Sequence, residues 1–170
     1  VKRQQNEGLL LDLKAEWQDT AVLYAAQANP TQLIEQLCDK GDRPSLDLAY
    51  NCWLENALLT NPRLVSEKTF IRLQECCYQQ LEQYMVEGNW KEADEYNYRM
   101  MIQVLGKRYG DRFTSEELIT FPCADLLRLD RLWGQHSKGK FGFSIQKDIY
   151  VKCGGQLDGE YYEKPFVRFI

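Results

Sequence analysis

Gly88-Asn89-Trp90-Lys91-Glu92-Ala93-Asp94 opens the stretch that decides the fold, and Phe121-Pro122-Cys123-Ala124-Asp125-Leu126 and Gly139-Lys140-Phe141-Gly142-Phe143-Ser144-Ile145 carry it on. Its punctuation is helical. Gly88 is a natural helix stop, and Asn89 with Glu92 three residues later has the spacing of a capping box. Thr114-Ser115-Glu116-Glu117 repeats that arrangement. Pro122 suits the start of a helix running to about Ser137, with Leu126, Leu129, Leu132 and Trp133 on its apolar side. The run from Phe141 to Val151 is ambiguous. Phe141, Phe143 and Ile145 alternate like a strand, whereas Ser144 ahead of Ile145 and Ile149 reads as a capped short helix. No second strand lies nearby to pair with it, and an isolated strand leaves its backbone groups unsatisfied. The helix is preferred.

Toward the N-terminus the same signals continue. Leu9, Leu10, Leu13, Trp17, Ala21, Leu23, Tyr24 and Ala28 recur at near-helical spacing until Asn29-Pro30. Thr31 is the expected cap of a short segment ended by Lys40-Gly41, and Ser45 the expected start of the next, which runs to Asn61-Pro62. Ser66 can cap a long helix bearing Phe70, Leu73, Cys77, Leu81, Tyr84 and Met85. Each segment has one apolar face and a polar back, so each must bury that face against a neighbour. The expected fold is all-α. Residues 1–86 form an N-terminal helical bundle, with stacked helical pairs as the alternative, and residues 87–170 form a second helical core docked on it across a tight junction at Val86–Asn89.

Composition narrows the function classes. The chain has 170 residues and a formal charge of -4, without the basic excess of a general nucleic-acid binder. No apolar run approaches the roughly 18 residues needed to span a bilayer. Leu9-Leu10-Leu11 is too short for the apolar segment of a signal peptide. Cys38, Cys52, Cys76, Cys77, Cys123 and Cys153 include no C-x-x-C pair, and the lone His136 makes no zinc constellation with them. They read as reduced, mostly buried thiols, and no metal held by side chains is expected.

Few residues suggest chemistry. Met100, Met101, Ile102, Val104 and Leu105 form an apolar block wider than one core-facing stripe. Such a helix is either sandwiched in a core or lines an apolar cavity, and methionines suit an adaptable surface. Phe121-Pro122 and Phe141-Gly142-Phe143 supply flat aromatic faces, as core or as the walls of a cup. His136 sits in Gly134-Gln135-His136-Ser137, the frayed end of a helix, and reads as a surface residue. Glu92, Asp94, Glu95, Asp125 and Asp130 fit caps and helix surfaces better than an acid/base pair. There is no P-loop, G-x-G-x-x-G, G-x-S-x-G or H-E-x-x-H motif, and nothing argues for an enzyme.

Taken in order with Leu129-Asp130-Arg131-Leu132-Trp133 and Gly154-Gly155-Gln156-Leu157-Asp158-Gly159, these short motifs resemble the genomes-uncoupled-four family over roughly residues 84–169. The resemblance implies an all-helical core with a concave apolar surface for protoporphyrin IX and Mg-protoporphyrin IX. It implies a regulator that activates magnesium chelatase through that enzyme's large porphyrin-binding subunit, in chlorophyll biosynthesis and plastid-to-nucleus signalling, without covalent chemistry of its own. The expected setting is cyanobacterial cytoplasm or plastid stroma, with transient docking on the thylakoid membrane left open. Monomer is the default, and no nucleic-acid partner is expected. The residues expected to line the porphyrin cup are Tyr98, Met101, Ile102, Leu105, Phe121, Leu126, Phe141 and Phe143. Family cores continue past Phe166-Val167-Arg168-Phe169 into a Gly-Trp-Arg loop over the ligand. Here the chain ends at Ile170, so that loop is expected to be missing and binding to be weaker. The alternative is a protein-interaction or sensor module on the same core, and an enzyme acting on a tetrapyrrole is the most distant reading.

Overall fold

A computed structural model describes residues 29–59, 65–159 and 162–169. Among them are eight helices and no strand: α1 Pro30–Lys40, α2 Arg43–Leu59, α3 Glu67–Val86, α4 Trp90–Val104, α5 Ser115–Ile119, α6 Cys123–His136, α7 Phe143–Lys152 and α8 Glu163–Phe169. The all-α expectation holds, and the ambiguous run after Phe141 is helical. The helix expected over 9–28 lies outside the described residues. Two compact units are present. One takes the described residues up to Gln83 together with Tyr98–Arg112, the other Tyr84–Asn97 together with the described residues from Phe113 onward.

In the first unit the helix starts differ from the sequence expectation. Asn29, not Thr31, caps α1: its side chain accepts from the Gln32 backbone N–H at 3.1 Å, and Pro30 occupies the first turn. Asparagine is the stronger cap, and proline's fixed φ suits the position after it. Asp42, not Ser45, caps α2, accepting from the Ser45 backbone N–H at 3.0 Å and from the Ser45 hydroxyl at 2.9 Å. Ser66 does cap α3, with the Thr69 N–H donating to its Oγ at 3.2 Å. Ile34, Leu37, Leu46, Leu54, Leu73 and Leu81 are buried. Trp53 stacks on Phe70 with ring centroids 4.0 Å apart, which fastens α2 to α3. Burial pushes the phenol of Tyr50 up, and its hydroxyl donates to the Lys107 carbonyl at 2.7 Å, tying α2 to the segment after α4.

The second unit is built around the start of α4, α6 and α7. Gly88 closes α3 with φ 72°, its N–H donating to the Met85 carbonyl and that of Asn89 to the Tyr84 carbonyl. Only glycine takes such a left-handed φ without strain. Thr114 and Glu117 form the full capping box of α5, as their spacing predicts. Ala93, Tyr96 and Asn97 on α4 and Leu129 and Trp133 on α6 are buried.

The α2 cap carries a pH dependence. Hydrogen bonds from the backbone and then the hydroxyl of Ser45 hold the Asp42 carboxyl below the usual carboxylate range. A carboxyl depressed in the folded state adds stability above its unfolded pKa and loses it as pH falls through the folded value. Asp42→Asn keeps a capping oxygen but not the charge. The stability gap between wild type and Asp42→Asn should therefore narrow as pH falls from neutral to about 3, read by urea unfolding at each pH. A constant gap would show that the cap does not titrate with folding.

Candidate functional site

The second unit contains an aromatic cleft of about 240 Å³, lined by Trp90, Asp94, Asn97, Trp133, Phe141, Gly142, Phe143 and Gln146. Trp90 is the first residue of α4, Asp94 and Asn97 lie one and two turns on, and Trp133 is in the last turn of α6. The loop to α7 supplies Phe141 and Gly142, and α7 opens with Phe143. Three of the rings meet. Trp90 and Trp133 lie 6.1 Å apart, and Phe141 stands edge-on to both, at 5.6 Å and 6.1 Å.

One buried hydrogen bond locks this corner. The Trp133 indole N–H donates to Asn97 Oδ1 at 3.1 Å, and each residue is only 8% exposed. An indole N–H left without an acceptor at that depth would be costly. The loop wall is held from within. Ser137, itself buried, accepts at its Oγ from the Lys140 and Phe141 backbone N–H groups at 3.1 and 2.9 Å. Asp130 then caps α7 from α6, its Oδ1 accepting from the Ser144 N–H at 2.9 Å and the Ser144 hydroxyl at 3.1 Å. Gly142 has φ 136°, and a Cβ there would sit 2.8 Å from Asp130 Oδ1 and 3.7 Å from Trp133 Cβ. Glycine is needed there for both conformation and room.

Charge in the cleft is one-sided. Among the described residues of the lining Asp94 is the only ionisable one, and no described Lys, Arg or His joins it. Its carboxylate makes no hydrogen bond or ion pair with another described residue. Among the described residues no group of three His, Cys, Asp or Glu side chains is placed to hold a metal ion. The geometry is that of a site for a flat apolar group. At about 240 Å³ it falls short of the roughly 300–1,000 Å³ that encloses a typical small-molecule ligand. A large planar ligand would insert an edge and leave the rest outside.

The sequence profile described as GUN4-like matches residues 72–164. The chain belongs to the GUN4-like family. Among curated proteins it is 37% identical over 93 residues to the chloroplastic tetrapyrrole-binding protein of Arabidopsis thaliana, covering 53% of this chain and 31% of that protein. It is also 37% identical over 78 residues to the uncharacterized protein ycf53 of Porphyra purpurea, covering 44% of this chain and 32% of the relative. The Ycf53-like protein of Synechocystis is 31% identical over 84 residues, 47% of this chain and 35% of the relative. The chain thus spans about a third of the length of these relatives. No solved structure matches it. The matched family region contains every cleft residue.

Within this GUN4-like region the eight residues expected to line a porphyrin cup are divided between the two units. Phe141 and Phe143 line the cleft. Phe121, 5% exposed, and the half-buried Leu126 are in the same unit but outside that lining. Tyr98, Met101, Ile102 and Leu105 belong to the other unit. There Tyr98 donates its hydroxyl to the Asp111 carbonyl at 2.9 Å, Ile102 is wholly buried, and Met101 and Leu105 are half-buried. Sequence reasoning missed Trp90, Trp133, Asp94, Asn97 and Gln146 as lining. Asn97 left one legible sign: it is the polar member of the stripe Ala93, Tyr96, Asn97, Met100, all buried. A polar side chain at an apolar position implies a partner across the core. Nothing local announces that Trp90 and Trp133 meet.

Two substitutions test this architecture. Gly142→Ala should lower stability by about 1–3 kcal/mol through backbone strain and the clash with Asp130. Asn97→Leu, which strands the Trp133 N–H, should cost about 1–3 kcal/mol. Chemical denaturation measures both, and tryptophan emission should shift in the second. Wild-type stability in either variant would contradict the packing described.

Proposed function

We propose that this chain is a non-enzymatic tetrapyrrole-binding protein that takes protoporphyrin IX or Mg-protoporphyrin IX and activates magnesium chelatase through the enzyme's large porphyrin-binding subunit. Membership of the GUN4-like family carries this reading, and the name of the Arabidopsis relative supports it. The aromatic cleft adds a physical means. Trp90, Trp133, Phe141 and Phe143 offer ring faces and edges against which an apolar macrocycle edge can pack in offset or edge-on geometry. Burying that edge supplies affinity at about 25 cal/mol per Å² before the cost of association is subtracted. Side-chain ligation of a metal plays no part. The magnesium of the metallated ligand stays with its macrocycle, and the protein's work is binding and presentation within chlorophyll biosynthesis.

Plastid stroma or cyanobacterial cytoplasm is the compartment we propose, following the chloroplastic and cyanobacterial relatives. Among the described residues no helix is long and apolar enough to cross a membrane. The second reading is a protein-interaction module on the same core. It is favoured by the exposure of Leu118, Ile119 and Leu127 on and beside α5 and α6, where apolar side chains face water.

Tryptophan quenching on titration with protoporphyrin IX separates the two. Saturable one-to-one binding is expected, and Phe141→Ala should weaken it about tenfold, near 1.4 kcal/mol. Phe141 is 43% exposed, so its truncation should leave the circular dichroism spectrum unchanged. Adding the chain to purified chelatase should raise the rate of magnesium insertion. The absence of any saturable porphyrin response would defeat the proposal and favour the interaction module.

A further inference from the structure

The charge of the cleft goes beyond what binding a flat macrocycle requires. Among the described residues its walls are four aromatic rings, two amides and a glycine, and the one ionisable group is Asp94. No other described residue neutralises that carboxylate, and no cation of the lining offsets it. Lys138 and Lys140 lie in the loop that carries Phe141, yet both are exposed and neither belongs to the described lining. A ligand edge that bears carboxylates would therefore bring like charge against Asp94, which is itself exposed to solvent. An edge that bears only methyl or vinyl groups would meet aromatic rings.

We propose that Asp94 is a specificity-determining residue. It directs the carboxylate-free edge of a porphyrin into the cleft and rejects porphyrins that carry carboxylates on every ring. The inference rests on the tetrapyrrole reading above. A porphyrin with its two carboxylates on one edge can turn that edge outward to water and still pack its opposite edge against Trp90, Trp133 and Phe141. A porphyrin octacarboxylate has no such edge. Whichever way it enters, it sets a negative group beside Asp94. A macrocycle with cationic substituents all round is attracted in every orientation.

The test is a quenching titration of the full chain with three probes: protoporphyrin IX, a porphyrin octacarboxylate and a tetracationic N-methylpyridyl porphyrin. Wild type, Asp94→Asn and Asp148→Asn are compared. Asp148 is exposed, lies outside the described cleft lining and pairs with the adjacent Lys147 at 3.8 Å, so its variant controls for net charge. In Asp94→Asn the octacarboxylate should bind roughly 3- to 10-fold tighter and the tetracationic probe weaker by a similar factor, the range of one screened charge pair near a surface. Protoporphyrin IX should move less than about twofold on the same scale. These shifts should collapse at about 1 M salt, where the screening length is near 3 Å. Equal shifts for all three probes, or equal effects of Asp148→Asn, would overturn the role of Asp94 while leaving tetrapyrrole binding intact. If no probe binds wild type or either variant, the tetrapyrrole reading itself falls and takes this inference with it.

Discussion

The candidate site depends on one carboxylate outside the described cleft lining. Asp130, within α6, accepts from the Ser144 N–H and hydroxyl at the start of α7. A helix start leaves backbone N–H groups without intrahelical partners, and a capping oxygen satisfies them. Here the cap comes from another helix fourteen residues away. That cross-helix cap fixes where α7 begins, and with it the loop from Ser137 to Gly142. Gly142 is the one residue type that fits beneath the clamp, because a Cβ would meet the same Asp130 oxygen. Phe141 and Phe143 stand on either side of this glycine. Their places in the cleft follow from the clamp rather than from any preference of their own.

The opposite wall has its own lock. Trp133 is large enough to fill the angle between α4 and α6, but its indole N–H must find an acceptor when buried. Asn97 supplies it from α4. A paired buried polar group specifies one arrangement, since any slip between the helices strands the Trp133 indole N–H. The outcome is a cleft whose aromatic walls are set before a ligand arrives, which reduces the ordering cost of binding. The thiols fit the same passive character. Burial pushes Cys52 up to about 12, and burial with the neighbouring Cys76 pushes Cys38 up to about 12. At neutral pH both stay protonated and poorly nucleophilic. None of the six cysteines is in a disulfide, and only Cys38, Cys52 and Cys77 are buried, fewer than composition suggested.

Much of the helical architecture was legible because helix ends are local events. Gly88, Ser66, Pro122 and the Thr114–Glu117 box each act within a few residues, and each sits where the structure needs it. The two misplaced starts, at Thr31 and Ser45, have a common cause. A rival cap, Asn29 or Asp42, stood two or three residues upstream. Propensity alone does not rank rivals so close together. The cup was less legible. Apolar character drew attention to Ile102, yet the same character buries it completely. Apolarity marks core and cavity wall alike, and only packing separates them.

By itself the sequence determined that this is an all-α chain of the GUN4-like family, since periodicity, caps and ordered motifs are written along one dimension. It also contained every residue of the cleft. Tertiary structure alone decided that Trp90, Trp133, Phe141 and Phe143 share a cleft, that Asp94 is the one charge among its described residues, and that Asp130 caps a helix other than its own. Those facts are distances between residues far apart in the chain. They arise when helices bury their apolar faces and satisfy the polar groups that burial strands. No short-range pattern encodes them.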